Sequence, residues 1–169
     1  MERNFEKIIQ QNLEEHGDLI IGDQTFSNQI IFDEGIQCSI FGTLTFLEMD
    51  FKKIDFTGSS FWNCNFQKCK FNDVTLRKCE FWNPTFENCE IQNSNLTRTS
   101  FHKGHFRNSS FIDSNLGGSI FSDLELIETK FKNNNLDSIA ARSVKLWKGN
   151  QVTEVENSLK FGEILKSIT

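Results

Sequence analysis

Large apolar residues recur at every fifth position over most of this 169-residue chain. From Phe41 to Leu136, twenty consecutive positions at this spacing hold Phe, Leu or Ile, with no insertion or deletion. Neither the 3.6-residue period of a helix nor the 2-residue period of a strand selects one residue class at such a spacing. The pattern predicts a repeat protein whose units stack to bury these residues, which we call the centres.

A second column lies two residues before each centre and holds mostly small residues. Its members are Ser59, Cys64, Cys69, Val74, Cys79, Pro84, Cys89, Ser94, Thr99, Gly104, Ser109, Ser114 and Ser119. With a polar residue before the centre, segments such as Ser94-Asn95-Leu96-Thr97 and Ser114-Asn115-Leu116-Gly117-Gly118 resemble the pentapeptide-repeat family. The resemblance implies an all-β solenoid, a right-handed quadrilateral β-helix with four repeats per coil, in which the centres and the small column both face inward. Short helical caps are expected at both ends.

Four repeats per coil would stack residues twenty apart at the ~4.8 Å spacing of neighbouring strands. Three of the four walls are then mostly Phe, and the fourth changes from Phe56 to Leu at Leu76. Counting Phe26, fifteen of the eighteen Phe lie on the register, and the chain has no Tyr. A filled interior favours Phe over Tyr because a buried hydroxyl would need a hydrogen-bond partner there.

Residues 1–18 are predicted to form an N-terminal capping helix. Phe5, Ile8, Ile9 and Leu13 fall on one helical face of residues 4–16, and His16-Gly17 supplies a helix end. A solenoid end needs such a cap, although a partner-binding helix is the alternative. The solenoid is predicted over 19–140. Its register extends backwards through Ile36, Ile31, Phe26 and Ile21, although Gln24, Gln29 and Glu34 interrupt the small column.

After Leu136 the register decays, and residues 141–169 predict a hairpin followed by a helix. The hairpin joins Val144–Trp147 to Gln151–Val155, and Asn157 or Ser158 would cap a helix ending at Ile168. This module is either a lid or a dimerisation element, so the protein is a monomer or a homodimer through this end. The candidate interface residues are Trp147, Phe161 and Leu165.

Proline is uncommon inside sheets, and Pro84 occupies the inward small column. This position leaves a local kink or a cis peptide after Asn83 open, although cis is the minority outcome for X–Pro bonds.

The net charge of −5 is unevenly distributed. Residues 1–40 hold eight acidic and two basic residues, whereas 41–136 hold eleven of each. No apolar run approaches the length of a membrane span, and the N-terminus lacks the order of a signal peptide. A cytoplasmic protein without membrane contact is expected.

No arrangement of residues predicts catalysis, a metal site or a cofactor. Cys64, Cys69, Cys79 and Cys89 follow the repeat and not the short spacing of a zinc site, and they are expected as small reduced fillers. Cys69 and Cys89 stack one coil apart, where an accidental disulfide is conceivable. His102 and His105 lie on successive walls with no third ligand.

The outward residues supply the functional candidates. Trp62, Trp82 and His102 follow centres of one wall on successive coils and should stack outside, as a protein-binding surface or as a cover for their own wall. Arg77, Lys78 and Arg98 form a small basic cluster that gives weak support for nucleic-acid binding, and no direct nucleic-acid contact is expected.

The sequence therefore favours a non-enzymatic protein–protein interaction module. The alternative comes from the resemblance: quinolone-resistance and topoisomerase-immunity members mimic DNA and bind gyrase. Mimicry needs dense negative charge, and the balanced charge of 41–136 argues against it. The uninterrupted register over 41–136, which would build a continuous rod, argues for mimicry.

Overall fold

The computed structural model describes residues 4–16, 20–32 and 35–168. It is a parallel β-solenoid of about six turns with a short helix at each end, as the sequence predicts. The elements, in chain order, are α1 (Phe5–His16), β1 (Ile20–Gly22), β2 (Thr25–Ser27), β3 (Ile30–Phe32), β4 (Ile40–Gly42), β5 (Thr45–Leu47), β6 (Asp50–Lys52), β7 (Ser60–Trp62), β8 (Asn65–Gln67), β9 (Lys70–Asn72), β10 (Glu80–Trp82), β11 (Thr85–Glu87), β12 (Glu90–Gln92), β13 (Ser100–His102), β14 (His105–Arg107), β15 (Ser110–Ile112), β16 (Ile120–Ile127), β17 (Lys130–Lys132), β18 (Ala140–Lys148), β19 (Gln151–Ser158) and α2 (Phe161–Ile168).

Four faces surround the interior, and strands of successive coils, twenty residues apart, pair in parallel. Face 1 contains β1, β4, β7, β10, β13 and the first half of β16, and face 2 contains β2, β5, β8, β11, β14 and its second half. Face 3 contains β3, β6, β9, β12, β15 and β17. Face 4 is a series of single bridges from Gly35 to Asn135.

The centres fill the interior as stacks of rings. Phe66 packs parallel to Phe46 below it and Phe86 above it, with ring centroids 5.0 and 4.6 Å apart. Its contact with Phe71 on the adjacent face is edge-on, at 5.6 Å. Stacking along a face and edge contacts around a corner are both favourable ring geometries, so the Phe-rich sequence supports the narrow coil.

Each corner turns at a residue two positions after a centre, where φ is positive. The values lie between 49° and 59° for the non-glycine corners, which are mostly Asn, Asp, Lys or Ser and include Thr43.

The residues of the small column, which follow each corner, form hydrogen bonds as well as filling the interior. The Ser59 hydroxyl donates to the Ile36 carbonyl at 2.9 Å and accepts the Ser39 N–H at 3.0 Å. Ser, Thr and Cys side chains of this column thereby bind backbone groups of the preceding coil.

Helix α1 closes the N-terminal end of the interior. Asn4 caps it, since its side-chain oxygen accepts the Lys7 N–H at 2.9 Å. Phe5 is fully buried and contacts Phe26 edge-on at 4.8 Å. Gln29 replaces a small residue in the small column because its side-chain oxygen accepts the Phe5 N–H at 2.8 Å. The predicted contributions of Leu13, Gly17 and Glu34 lie outside the described residues or side chains.

The C-terminal end differs from the sequence prediction in two respects. The register does not decay after Leu136, because β18 pairs with β16 at a spacing of twenty residues as far as Ile127 and Trp147. The predicted helix cap is wrong: Asn157 and Ser158 belong to β19, and α2 begins at Phe161. The β19 strand takes these residues because it continues its antiparallel pairing back along β18 to Ala141.

Pro84 produces no cis peptide, since the described residues contain none. The position tolerates proline because the N–H of this column bonds to the hydroxyl of the next coil and not to the backbone ladder, as the Cys89 N–H does to Ser109 at 3.0 Å. The Pro84 carbonyl still accepts the His105 N–H at 3.0 Å.

Candidate functional site

Three rings form a continuous stack on the outside of face 1. The register pairs Trp82 with Trp62 on one side and with His102 on the other. The indole centroids are 5.4 Å apart with planes inclined by 9°, and the Trp82 and His102 rings are 4.3 Å apart at 20°. Since strand spacing is close to ring-stacking distance, residues at the same position of successive coils meet face to face. We call this the ring ladder.

The lower end of the ring ladder is open. The residues paired below Trp62 are Gly42 and then Gly22, and a methyl group built on Gly42 would meet nothing within 4 Å. Trp62 is 46 % exposed, and the neighbouring Ile40 and Ile20 are 44 % and 61 % exposed. Together these five residues form a flat apolar shelf that continues from the ring ladder towards the N-terminal end of face 1.

Two polar groups of the ring ladder are shielded from water. Partial burial of the ring lowers the pKa of His102, against the opposing effect of Glu80 and Asp123. The Trp82 Nε1 donor is buried without an acceptor among the described residues. An unpaired buried donor of this kind is uncommon in native proteins.

The other predicted surface, at the C-terminal end, is largely internal. Phe161 and Leu165 are buried within the chain, and the Phe161 ring lies 5.8 Å from that of Phe121. Gly162 lets α2 approach closely, since a Cβ there would be 2.7 Å from the Leu136 carbonyl oxygen. Helix α2 therefore covers the interior as a lid would. Trp147 is only partly buried, and β19 is exposed along most of its length.

The four inward thiols act as hydrogen-bond donors to the coil below. Cys79 Sγ donates to the Phe56 carbonyl at 3.0 Å, and Cys69 Sγ donates to the Phe46 carbonyl at 3.2 Å. Burial raises the pKa of Cys64 to about 11 and that of Cys79 to about 12. All five cysteines are free, so Cys69 and Cys89 are not joined by a disulfide.

The remaining polar candidates do not converge. His102 lies on face 1 and His105 on face 2. Among the described residues no group of three or more His, Cys, Asp or Glu side chains is placed to hold a metal ion. Arg77, Lys78 and Arg98 are exposed on face 4.

Outward acids are partly neutralised by neighbouring bases. Lys68 Nζ lies 2.8 Å from Glu48 Oε1, and Lys52 Nζ lies 2.9 Å from Asp50 Oδ2. Such exposed pairs add little to stability. Together with the equal numbers of acidic and basic residues over 41–136, they leave the coils without the dense negative charge that DNA mimicry requires.

Sequence reasoning identified the ring ladder but missed the glycine shelf below it. The signal was available: Gly22 and Gly42 occupy the position of Trp62 forty and twenty residues earlier, respectively. In the described part of the chain no helix is long and apolar enough to cross a membrane.

Comparison with known proteins identifies the repeat. A family profile described as "Pentapeptide repeat region" matches residues 59–141. HetL, a pentapeptide-repeat protein of the cyanobacterium Nostoc involved in heterocyst differentiation regulation, superposes with a TM-score of 0.54 at 8 % identity, over 84 % of this chain and 68 % of HetL. This likeness shows the fold alone.

Two other solved structures superpose less well. Rfr23, a pentapeptide-repeat protein of the cyanobacterium Cyanothece, has a TM-score of 0.34 at 11 % identity, covering 85 % of this chain and 99 % of its own. QnrB1, a plasmid-mediated fluoroquinolone resistance protein, has a TM-score of 0.29 at 15 % identity, covering 72 % of each chain. No curated protein matches the sequence.

Proposed function

Because this chain is a pentapeptide-repeat protein, we propose that it is a non-enzymatic binding module that recognises another protein through the ring ladder and the apolar shelf of face 1. The observation that carries the proposal is the exposed end of the stack, where Trp62 stands above Gly42 and beside Ile40. Accessible Trp in an apolar surround is the residue type that dominates binding energy at protein interfaces. The reduced thiols support a cytoplasmic location.

A flat partner surface suits this face better than a small molecule does. The shelf lacks side chains at Gly22 and Gly42, so it offers a step one ring deep beneath Trp62. A planar side chain of a partner can occupy that step and extend the stack by one ring.

Site-specific cross-linking tests the assignment. A photoreactive phenylalanine analogue replaces Ile40 on face 1 or, as a matched control, Ile30 at the same strand position on face 3; both isoleucines are exposed. We expect a defined heterologous adduct from position 40 only, and we expect Trp62→Ala to abolish it. Equal adducts at both positions, or an adduct that survives Trp62→Ala, would rule out face 1 as the recognition surface.

The DNA-mimic alternative receives no support from the charges of the faces, where Lys68 and Lys52 neutralise acidic neighbours. It remains directly testable in a gyrase supercoiling assay with and without a fluoroquinolone. Under the proposed function we expect neither inhibition nor drug protection at low micromolar protein. Protection at that concentration would replace the proposal with the alternative.

A further inference from the structure

Face 3 ends one strand earlier than its neighbours. Strand β17 pairs with β15 below it, and the described part of the chain places no strand on its other edge. In a regular coil, residues 150–152 would lie there, twenty positions after β17. The chain instead turns back at Gly149 and Asn150, and β19 pairs antiparallel with β18.

The missing strand leaves backbone groups of the last coil without their usual partners. One coil lower, the Asp113 N–H donates to the Lys132 carbonyl at 3.0 Å, and the Ser109 carbonyl accepts the Lys130 N–H at 2.9 Å. The equivalent groups of the last coil are the Asn133 N–H and the Thr129 carbonyl. Neither has a backbone partner in the described residues. An exposed strand edge of this kind is a template for another strand.

A cleft of about 520 Å³ lies between this edge and the hairpin. Its lining includes all of β17 together with Trp147, Gln151 and Thr153. The volume falls within the range of about 300–1,000 Å³ usual for binding sites. Trp147, which lines the cleft, has a buried Nε1 donor with no acceptor among the described residues, and its indole signal can therefore report on changes in the cleft.

The side chains of β17 specify the charge of the strand that fits. Lys130 and Lys132 are exposed on either side of Phe131, which is buried. On the coils below, Asp50, Lys70 and Glu90 alternate in sign at this position, and the uncharged Ser110 separates them from Lys130. A strand added to β17 places two residues opposite the lysines and one between them that faces the interior beside Phe131.

We propose that this cleft binds an extended segment of another protein that adds a strand to β17 and carries an acidic–apolar–acidic triplet. The main-chain bonds hold the segment, and the triplet gives the selectivity, as in other cases of strand addition. This site lies on another face from the ring ladder and does not depend on the function proposed above.

A second copy of the chain is the competing occupant, since β19 contains the triplet Glu154–Val155–Glu156. Within its own chain, however, Val155 is buried and Glu154 lies 3.8 Å from Lys145. Those residues are therefore already engaged in the hairpin, which favours a segment from a different protein.

Nuclear magnetic resonance of the ¹⁵N-labelled chain tests the proposal, because three Trp give only three indole signals. The probes are the peptides acetyl-Ser-Glu-Val-Glu-Ser-amide and acetyl-Ser-Lys-Val-Lys-Ser-amide. We expect the acidic peptide to shift the Trp147 indole and the Asn133 amide and to slow hydrogen exchange at Asn133. The Trp62 and Trp82 indole signals should not move.

Charge reversal supplies the second arm. The double variant Lys130→Glu/Lys132→Glu should bind the acidic peptide at least tenfold more weakly and the basic peptide more tightly. Lys70→Glu, at the same position of face 3 three coils lower, should leave binding unchanged. Absence of a Trp147 shift at millimolar peptide, or equal binding of both peptides, would overturn the proposal. Peptide-independent shifts that grow with protein concentration would assign the cleft to a second copy instead.

Discussion

Pro84 and Gly104 occupy the same position of successive coils, and the contacts of Pro84 leave no room for a side chain at position 104. A methyl group built on Gly104 would overlap the Pro84 carbonyl oxygen and would lie 2.6 Å from Cδ of the proline ring. Elsewhere in this column a hydroxyl binds the N–H of the residue twenty positions earlier, as Ser59 does for Ser39. Proline has no such N–H, and glycine has no such hydroxyl.

Gly104→Ala should therefore destabilise the protein by about 1–3 kcal/mol, the usual penalty for overpacking. Pro84→Ser in the same chain should recover part of the loss, because it removes the ring contacts of the methyl group but keeps the backbone carbonyl oxygen that the methyl group also meets. Gly42→Ala is the matched control, since its added methyl contacts nothing within 4 Å. Urea denaturation of the single and double variants measures the coupling; independent, additive effects would show that the two positions do not constrain each other.

Phe66→Ala should lower the free energy of unfolding by ~3–5 kcal/mol, the range for a buried Phe. Phe66 stacks between Phe46 and Phe86, and its removal leaves a cavity in the middle of the ring column. Phe32→Ala, at an aromatic residue 51 % exposed, should change stability far less. Thermal and chemical denaturation check both, and similar losses for the two variants would contradict the assigned burial.

Thr43→Gly should stabilise the protein by about 0.5–1 kcal/mol. Thr43 has φ of 55°, a conformation that a β-branched residue adopts at a cost and that glycine adopts freely. Thr45→Gly, two residues later within β5, should destabilise because glycine weakens a strand interior. Denaturation midpoints should thus move in opposite directions, and a shared direction would refute this account of the corners.

Only Cys38 should react with a thiol reagent in the native state. It is exposed, whereas the other four cysteines are buried and donate hydrogen bonds. Burial raises the pKa of Cys64 and Cys79, and Cys69 and Cys89 are equally buried, so a reagent does not reach these four thiols in the folded chain. Titration of the native wild-type protein should detect one rapidly reacting thiol, and titration of native Cys38→Ser should detect none. In denaturant all five thiols of the wild type should react.

Stability should fall as the pH drops below about 6.5, the usual pKa of histidine. The pKa of His102 is lowered in the fold, so the unfolded chain takes up its proton at a higher pH than the folded chain does. The His102 contribution is complete at pH 7.5 and declines between the unfolded and the folded pKa. His102→Gln should flatten this part of the stability–pH curve; an unchanged slope would mean that another group titrates there.

The five-residue register, together with the resemblance to the pentapeptide-repeat family, predicted the interior of this protein. The register assigns Phe66, Leu96 and Phe121 to the repeating apolar position, and the four repeats per coil that the resemblance implies place them in the interior, where they are buried. The twenty-residue spacing also assigned three outward rings, Trp62, Trp82 and His102, to one face. Their stacking follows from the distance between neighbouring strands.

The tertiary structure decided the two ends and the outside of the coil. The sequence could not show that β19 would turn back over β18 and take Asn157 and Ser158 from the predicted helix, or that β17 would keep an open edge. It also could not show that Pro84 occupies the space into which a side chain at position 104 would project. A repeat constrains each residue through the coil above and the coil below. Where one of those coils is absent, at the ends, or where a side chain points to solvent, only the three-dimensional contacts choose the outcome.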